Sequence, residues 1–306
     1  AKKSAAVAAL PALLAGKGRG IYFALPTMAT ADAMFSRASK IVGRMFAHRP
    51  TVTLAHGRSG LSVPFRDLVA GAPNAPEDVD CTQWLAEGRR KALLGDVGVG
   101  TIDQALLSAM PTKFHTLRHF ALSSKILIVD EVHELGEPYL KVVMGELLRL
   151  HRMAGGSAIL LTATLPLQQR AQLMAQYADD PSEDPAYPAL TIAGGAARRD
   201  LPREIGARGP VRVERLPEAD AAVRLLKQAS EQGAACVWVR NAVDDAIAAV
   251  EALRAAGVES DLLHARFALC DRKRIEIGAL ARFGKTGEGR SGRVLVGTQV
   301  LEASLD

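Results

Sequence analysis

Short apolar runs of four or five residues recur through the first half of the chain, and stretches with a helical period lie between them. Ile21–Leu25, Val52–Ala55, Val97–Thr101, Ile126–Val129 and Ala158–Thr162 read as strands. Ser4–Leu14, Ala29–Phe46, Ile102–Met110, Tyr139–Met153 and Leu167–Tyr177 carry apolar residues at helical spacing. Ser62–Asp80 and Asp179–Pro188, rich in Pro, Gly and acids, read as loops. Beyond residue 209 a second series begins. Val211–Leu216, Ala235–Val239, Asp261–Leu263 and Arg293–Gly297 are its expected strands, and Ala219–Gln232, Ala242–Ala256 and Asp271–Phe283 its helices. Strands alternating with helices predict an α/β chain with mainly parallel sheets. The expected division is a first domain over 1–193, a linker over 194–209 with scattered arginines, and a second domain over 210–306. The second series stops just after a strand–loop element, so that domain is expected to be incomplete and the chain to be part of something longer.

Composition adds little to this outline. A chain of 306 residues is long enough for two cores. Hydrophobic residues at 48% and charged residues at 23% are ordinary for a globular protein. A formal charge of +5 suits a polyanionic partner without demanding one. Cys81, Cys236 and Cys270 are few and widely spaced, as expected in a reducing cytoplasm. The Ala/Leu-rich stretch after Lys2-Lys3 imitates a secretory signal, but Pro11 interrupts it and no cleavage site precedes Gly16. No apolar run approaches the roughly 20 residues that cross a bilayer.

Ile126-Leu127-Ile128-Val129 runs directly into Asp130-Glu131-Val132-His133. A buried strand ending in carboxylates puts charge at its carboxyl end, where open α/β sheets place ligands. An Asp there holds Mg²⁺ on nucleotide phosphates in P-loop NTPases, and an adjacent Glu can take a proton from water. The tetrapeptide alone fits a plain acidic turn equally well.

Other short elements stand in order around it: Phe23-Ala24-Leu25-Pro26-Thr27-Met28-Ala29-Thr30, Val99-Gly100-Thr101-Ile102-Asp103-Gln104-Ala105, Leu161-Thr162-Ala163-Thr164-Leu165-Pro166 and Val296-Gly297-Thr298-Gln299 through to Asp306. The series resembles the superfamily 2 helicases of the DExH type, whose motor is two tandem RecA-like domains. Its wording is closer still to the CRISPR-associated helicase–nucleases of type I systems, helicase portion only.

The resemblance implies ATP and Mg²⁺ as cofactors, Asp130 on the metal, Glu131 activating water and His133 coupling the site onward. A phosphate loop reads G-x-x-x-x-G-K-[ST]; here only Lys3-Ser4 precede the Ala-rich helix, with Lys2 where the last Gly belongs. Lys3 is the expected phosphate lysine and Ser4 the expected Mg²⁺ hydroxyl, a frayed basic terminus being the competing reading. On the nucleic-acid side the resemblance singles out Thr27, Thr30, His56, Gly57, Gly100 and Thr101, with helix capping as the plain alternative for the threonines. Thr162 and Thr164 fall on the element that relays nucleotide state. In the second domain Arg240, His264, Arg266 and Thr298 are expected on the nucleic-acid strand, and Asp306 near the nucleotide ribose. The arginine finger and the metal nuclease domain of the family are not found in the sequence.

The function so implied is ATP-driven translocation on single-stranded DNA. The partners implied are a guide-RNA surveillance complex and a nuclease domain in the same or a separate chain, with no membrane. A general superfamily 2 DNA or RNA helicase, and a non-catalytic nucleic-acid-binding module with a dead nucleotide pocket, are the alternatives.

Overall fold

Five consecutive apolar side chains, Ile21 to Leu25, make a stable strand only where both faces are covered. In the computed structural model, which describes residues 9–177, 189–193, 212–216, 218–284 and 287–301, that strand is β1, Gly20–Leu25, buried along its length. It is the centre of a five-stranded sheet with β2 (Val52–Ala55), β3 (Val97–Thr101), β4 (Lys125–Val129) and β5 (Ala158–Leu160), in the order β2-β3-β1-β4-β5. All four pairings are parallel.

The period of two along each strand divides the core into two layers. Ile21, Phe23, Leu25, Ile126 and Ile128 face one way, onto Met34 and Phe35 of helix Met28–Ala38 and Phe65 and Leu68 of helix Val63–Ala70. Tyr22, Ala24, Leu127 and Val129 face the other, onto helices His115–Ser123 and Pro138–Met153. Each large side chain buried this way stabilises the fold by about 1.5–3 kcal/mol.

The chain divides into two units, Ala1–Glu204 and Ile205–Asp306. The second holds a three-stranded parallel sheet, β6 (Cys236–Val239), β7 (Ser260–Leu263) and β8 (Val294–Gly297), in the order β6-β8-β7. Helix Val243–Ala255 buries Ala246, Ala249, Val250 and Leu253 against Val294 and Val296; Leu263 and Leu295 pack with Ala279 of helix Leu269–Phe283. No helix among the described residues is long and apolar enough to cross a membrane.

Several element boundaries differ from those expected. The helix expected over Ala29–Phe46 ends at Ala38, where the Ser39 hydroxyl donates to the Phe35 carbonyl at 2.6 Å and the chain turns. Ser62–Asp80, expected to be loop, contains helix Val63–Ala70. Pro64 suits its first turn, and Phe65 and Leu68, three apart, supply the buried stripe. Helix His115–Ser123 was not expected, because four of its first five residues, His115, Thr116, Arg118 and His119, are polar. Residues 212–216, expected as a strand, are in none. The start of helix Ser4–Leu14, the loop Asp179–Pro188 and the linker over 194–209 lie outside the described residues.

Candidate nucleotide and nucleic-acid site

Parallel pairing gathers the strand ends of the first unit on one edge. Ala55 stands opposite Gly100, Leu25 opposite Thr101, Ala24 opposite Val129, and Val129 opposite Leu160. The residues that follow line that edge in the order His56-Gly57, Gly100-Thr101, Thr27, Asp130-Glu131, Thr162. Four strand spacings of ~4.8 Å make the row about 19 Å long. One end carries the expected nucleic-acid contacts and the other the expected chemistry.

Asp130 is buried, and its backbone N–H bonds to the Ala24 carbonyl at 3.0 Å, which fixes it to β1. Glu131 turns into the left-handed region, with φ 52° and ψ 49°. The chain then enters a short 3-10 turn, Val132–Leu135. The turn swings His133 back: its Nδ1 lies 3.4 Å from Glu131 Oε2 and 3.0 Å from Thr162 Oγ1. The Thr162 hydroxyl donates to the Thr164 carbonyl at 2.7 Å, so its oxygen accepts and His133 Nδ1 is the protonated nitrogen. Glu131, His133, Thr162 and Thr164 thus form one chain of contacts spanning β4 and β5.

Asp130 and Glu131 border a recess of about 160 Å³ shared with Pro26, Asp103 and Glu134. Among the described residues no group of three or more His, Cys, Asp and Glu is arranged to hold a metal by itself. Magnesium on a nucleotide needs less, because phosphate oxygens and water supply most of its ligands and one or two carboxylates the rest. A buried aspartate beside a second carboxylate fits that requirement. Lys3, Ser4 and Asp306 lie outside the described residues.

At the centre of the row Thr27 and Thr30 cap a helix. Thr27 Oγ1 accepts from Thr30 N at 3.2 Å, and Thr30 Oγ1 accepts from Thr27 N at 3.2 Å, a reciprocal box at the start of helix Met28–Ala38. Thr101 opens helix Ile102–Leu106 without a side-chain cap. His56 is fully enclosed: Nδ1 accepts from Arg58 N at 3.1 Å and Nε2–H points to Asp32 Oδ1 at 3.4 Å. Its imidazole shapes the turn that presents Gly57.

Gly100 is there for space. A Cβ on it would lie 2.4 Å from the Ala55 carbonyl oxygen and 2.5 Å from the Tyr22 hydroxyl. Beneath it, Tyr22 donates to the Thr101 carbonyl at 3.4 Å, and Arg118 donates to Gln104 Oε1 at 3.1 Å. The sequence reading missed Asp103 and Arg118. An arginine sharing a helix face with Ala121 and Leu122 was the available signal for the second.

In the second unit, Arg240, Thr298 and His264 follow β6, β8 and β7, side by side. Arg240 lies 3.7 Å from Asp245, and Arg266 forms a two-pronged pair with Asp244 at 2.5 and 3.2 Å. Both cations therefore rest on the acidic first turn of helix Val243–Ala255. Thr298 and His264 are buried, His264 stacked on Phe267 with centroids 4.1 Å apart.

Comparison with known proteins bears on this geometry. Residues 232–306 match the family model described as CRISPR-associated nuclease/helicase Cas3, C-terminal. The CRISPR-associated endonuclease/helicase Cas3 of Escherichia coli K12 is 37% identical over 94% of this chain, which covers 34% of that protein. The chain spans about a third of the length of the curated relatives it matches. The crystal structure of T. fusca Cas3-ATP matches with a TM-score of 0.78 and 29% identity, over 94% of this chain and 36% of that one. A chain in a CRISPR RNA-guided surveillance complex in its pre-nicking state matches with a TM-score of 0.63 and 26% identity, over 97% of this chain and 38% of its own. The α/β units with parallel sheets are those of the RecA-like domains of such helicases. In sequence and in fold, this chain is a relative of the helicase region of the CRISPR-associated nuclease/helicase Cas3.

Proposed function

We propose that this chain is the ATP-driven motor of a type I CRISPR nuclease/helicase, translocating on single-stranded DNA and opening the duplex for degradation. One observation carries the reading. Asp130 and Glu131 sit on the same sheet edge as Gly57, Gly100 and Thr27, joined to Thr162 through His133. Nucleotide chemistry and strand contact then share one rigid element.

Bound Mg²⁺–ATP would supply the phosphoryl group and the charge neutralisation that its transfer requires. Asp130 would hold the metal, with Ser4 as the hydroxyl ligand expected beside it and Lys3 as the lysine expected on the phosphates. Glu131 orients the attacking water and accepts its proton at a carboxylate oxygen. His133, donating to Thr162, ties the position of Glu131 to the loop after β5, so a change at the phosphates moves Thr162 and Thr164. Gly57, Gly100 and the start of helix Met28–Ala38 offer backbone N–H groups to strand phosphates, Thr101 joins them in the strand contact, and Thr27, Thr30 and His56 hold those segments in place. Arg240, His264, Arg266 and Thr298 complete the strand contact from the second unit, the two arginines exchanging Asp245 and Asp244 for phosphate. Asp306 is the residue proposed to approach the nucleotide ribose.

The domain limits proposed are 1–193, 194–209 and 210–306. The similarity to a chain in a surveillance complex supports such a complex as the partner that selects the target. The names of the relatives support a nuclease domain working beside the motor, in the same or a separate chain.

The test compares ATP hydrolysis by the complete protein with single-stranded DNA and with single-stranded RNA. Stimulation by DNA alone is expected. Equal or greater stimulation by RNA favours a general superfamily 2 helicase, and strand binding without hydrolysis favours a dead nucleotide site.

A further inference from the structure

The first unit carries an exposed basic and aromatic surface that none of the motif residues occupies. Trp84, 55% exposed, stands on the short helix Gln83–Ala86 with the Lys91 ammonium 4.9 Å from its ring centre. Phe114, 40% exposed, lies under the Arg90 guanidinium at 4.0 Å and near Lys113 at 5.3 Å. Residues 84–92 and 111–120 together hold five Arg or Lys and one carboxylate, Glu87, which pairs with Lys91 at 3.1 Å.

Two further features make this a built surface. Phe114 has φ 67°, a left-handed conformation that a bulky residue adopts only where its surroundings hold it. The strained position leads into helix His115–Ser123 and leaves a large ring exposed. Arg118, one turn into that helix, donates to the Gln104 side chain at 3.1 Å and to the Gln104 carbonyl at 3.3 Å. It is also near enough to Arg89 and Arg90 to feel them: burial first, and then these like charges, hold its pKa below the usual guanidinium value, with Tyr22 acting in the opposite sense. Arg118 thus ties helix His115–Ser123, which Phe114 opens, to the segment that follows Gly100-Thr101.

We propose that Trp84, Arg90, Lys91, Lys113 and Phe114 form an auxiliary binding surface for single-stranded nucleic acid, extending the strand path beyond Gly100-Thr101. The inference rests on the strand-binding reading of the preceding section. Exposed rings beside guanidinium and ammonium groups suit unpaired bases, which stack on open ring faces and guanidinium planes while their phosphates lie on neighbouring cations. An acidic polypeptide would use the charges and leave the rings without a role.

The test measures binding of labelled oligothymidylates of increasing length to the complete protein. The proteins compared are the wild type, Trp84→Ala/Phe114→Ala and Arg90→Gln/Lys113→Gln, each checked for an unchanged thermal midpoint. The shortest oligonucleotide that binds should bind all three alike. Longer ones should gain affinity on the wild type and lose about tenfold for each ring removed. The glutamine pair should lower the salt slope of log affinity by about 1.4, the value for two single-strand phosphate contacts. Trp84→Phe/Phe114→Tyr, which keeps both rings, should restore the gain with length. Identical binding by all variants at every length overturns the proposal. So does loss of poly-glutamate peptide binding with DNA binding intact, which would assign the surface to an acidic polypeptide. If the wild type itself binds no oligonucleotide, the strand-binding reading falls, and the proposal with it.

Discussion

Glu131 occupies a backbone region that costs a residue with a Cβ roughly 1–2 kcal/mol. The torsion turns the chain immediately after β4, so that Asp130 stays buried against β1 while Glu131 meets His133. Such strain is characteristic of places where geometry is set by chemistry. The contact between His133 and Thr162 joins residues 29 apart in sequence, and no spacing rule reveals it. The acids themselves stood out, because an apolar strand stops in two carboxylates, but a plain acidic turn reads the same and only the ordered motifs around them favoured the nucleotide reading. Thr162→Val keeps shape and removes the oxygen that His133 holds at 3.0 Å. It is expected to leave basal ATP hydrolysis near the wild-type rate. The extra hydrolysis induced by single-stranded DNA should fall by a factor of about 2–10, the worth of one hydrogen bond. Hydrolysis measured with and without DNA checks this; an equal fall in both would place Thr162 in the chemistry and not in the coupling.

At the scale of elements, the row of strand ends depends on close packing between β2, β3 and β1. Gly100 admits no side chain, since a Cβ would press on the Ala55 carbonyl and the Tyr22 hydroxyl. Gly100→Ala is expected to cost about 2 kcal/mol or more, as overpacking with backbone in the way does. Chemical denaturation measures that cost, and strand affinity should fall with it. The strands were legible from their apolar runs. The helices were less so, because Ser39 ends one by a hydrogen bond that periodicity does not show, and Phe65 and Leu68 sit in a stretch of loop-like composition.

A second element carries a pH dependence. His151, on helix Pro138–Met153, donates from Nε2 to the Lys125 carbonyl at 3.0 Å and accepts at Nδ1 from the Tyr177 hydroxyl at 3.2 Å. Burial, the largest cause, holds its pKa below the ordinary 6.5. As pH falls below 6.5 the unfolded chain therefore takes up a proton that the folded chain refuses, and stability is lost. His151→Leu should cost about 1–3 kcal/mol at pH 8, from the two bonds it leaves unmade, and should flatten the loss between pH 6.5 and 5. Thermal midpoints across that range decide it.

For the whole molecule, two α/β units of parallel strands were readable from the alternation of periods, and the structure has them. The convergence of His56, Gly100, Thr27, Asp130 and Thr162 on one edge was not readable, because strand order is absent from local pattern and β1 lies between β3 and β4. The auxiliary surface at Trp84 and Phe114 was equally hidden, since it joins short helices that carry no motif. In the proposed function Glu131 activates the water that cleaves ATP while the same sheet edge grips a single strand. The measurement that meets it most directly is steady-state ATP hydrolysis by the complete protein with single-stranded DNA, wild type beside Glu131→Gln. Hydrolysis is expected to fall by about 10²–10⁴ in the variant, the contribution of a positioned general base, with strand binding and thermal midpoint unchanged. Hydrolysis at near the wild-type rate by Glu131→Gln would contradict it.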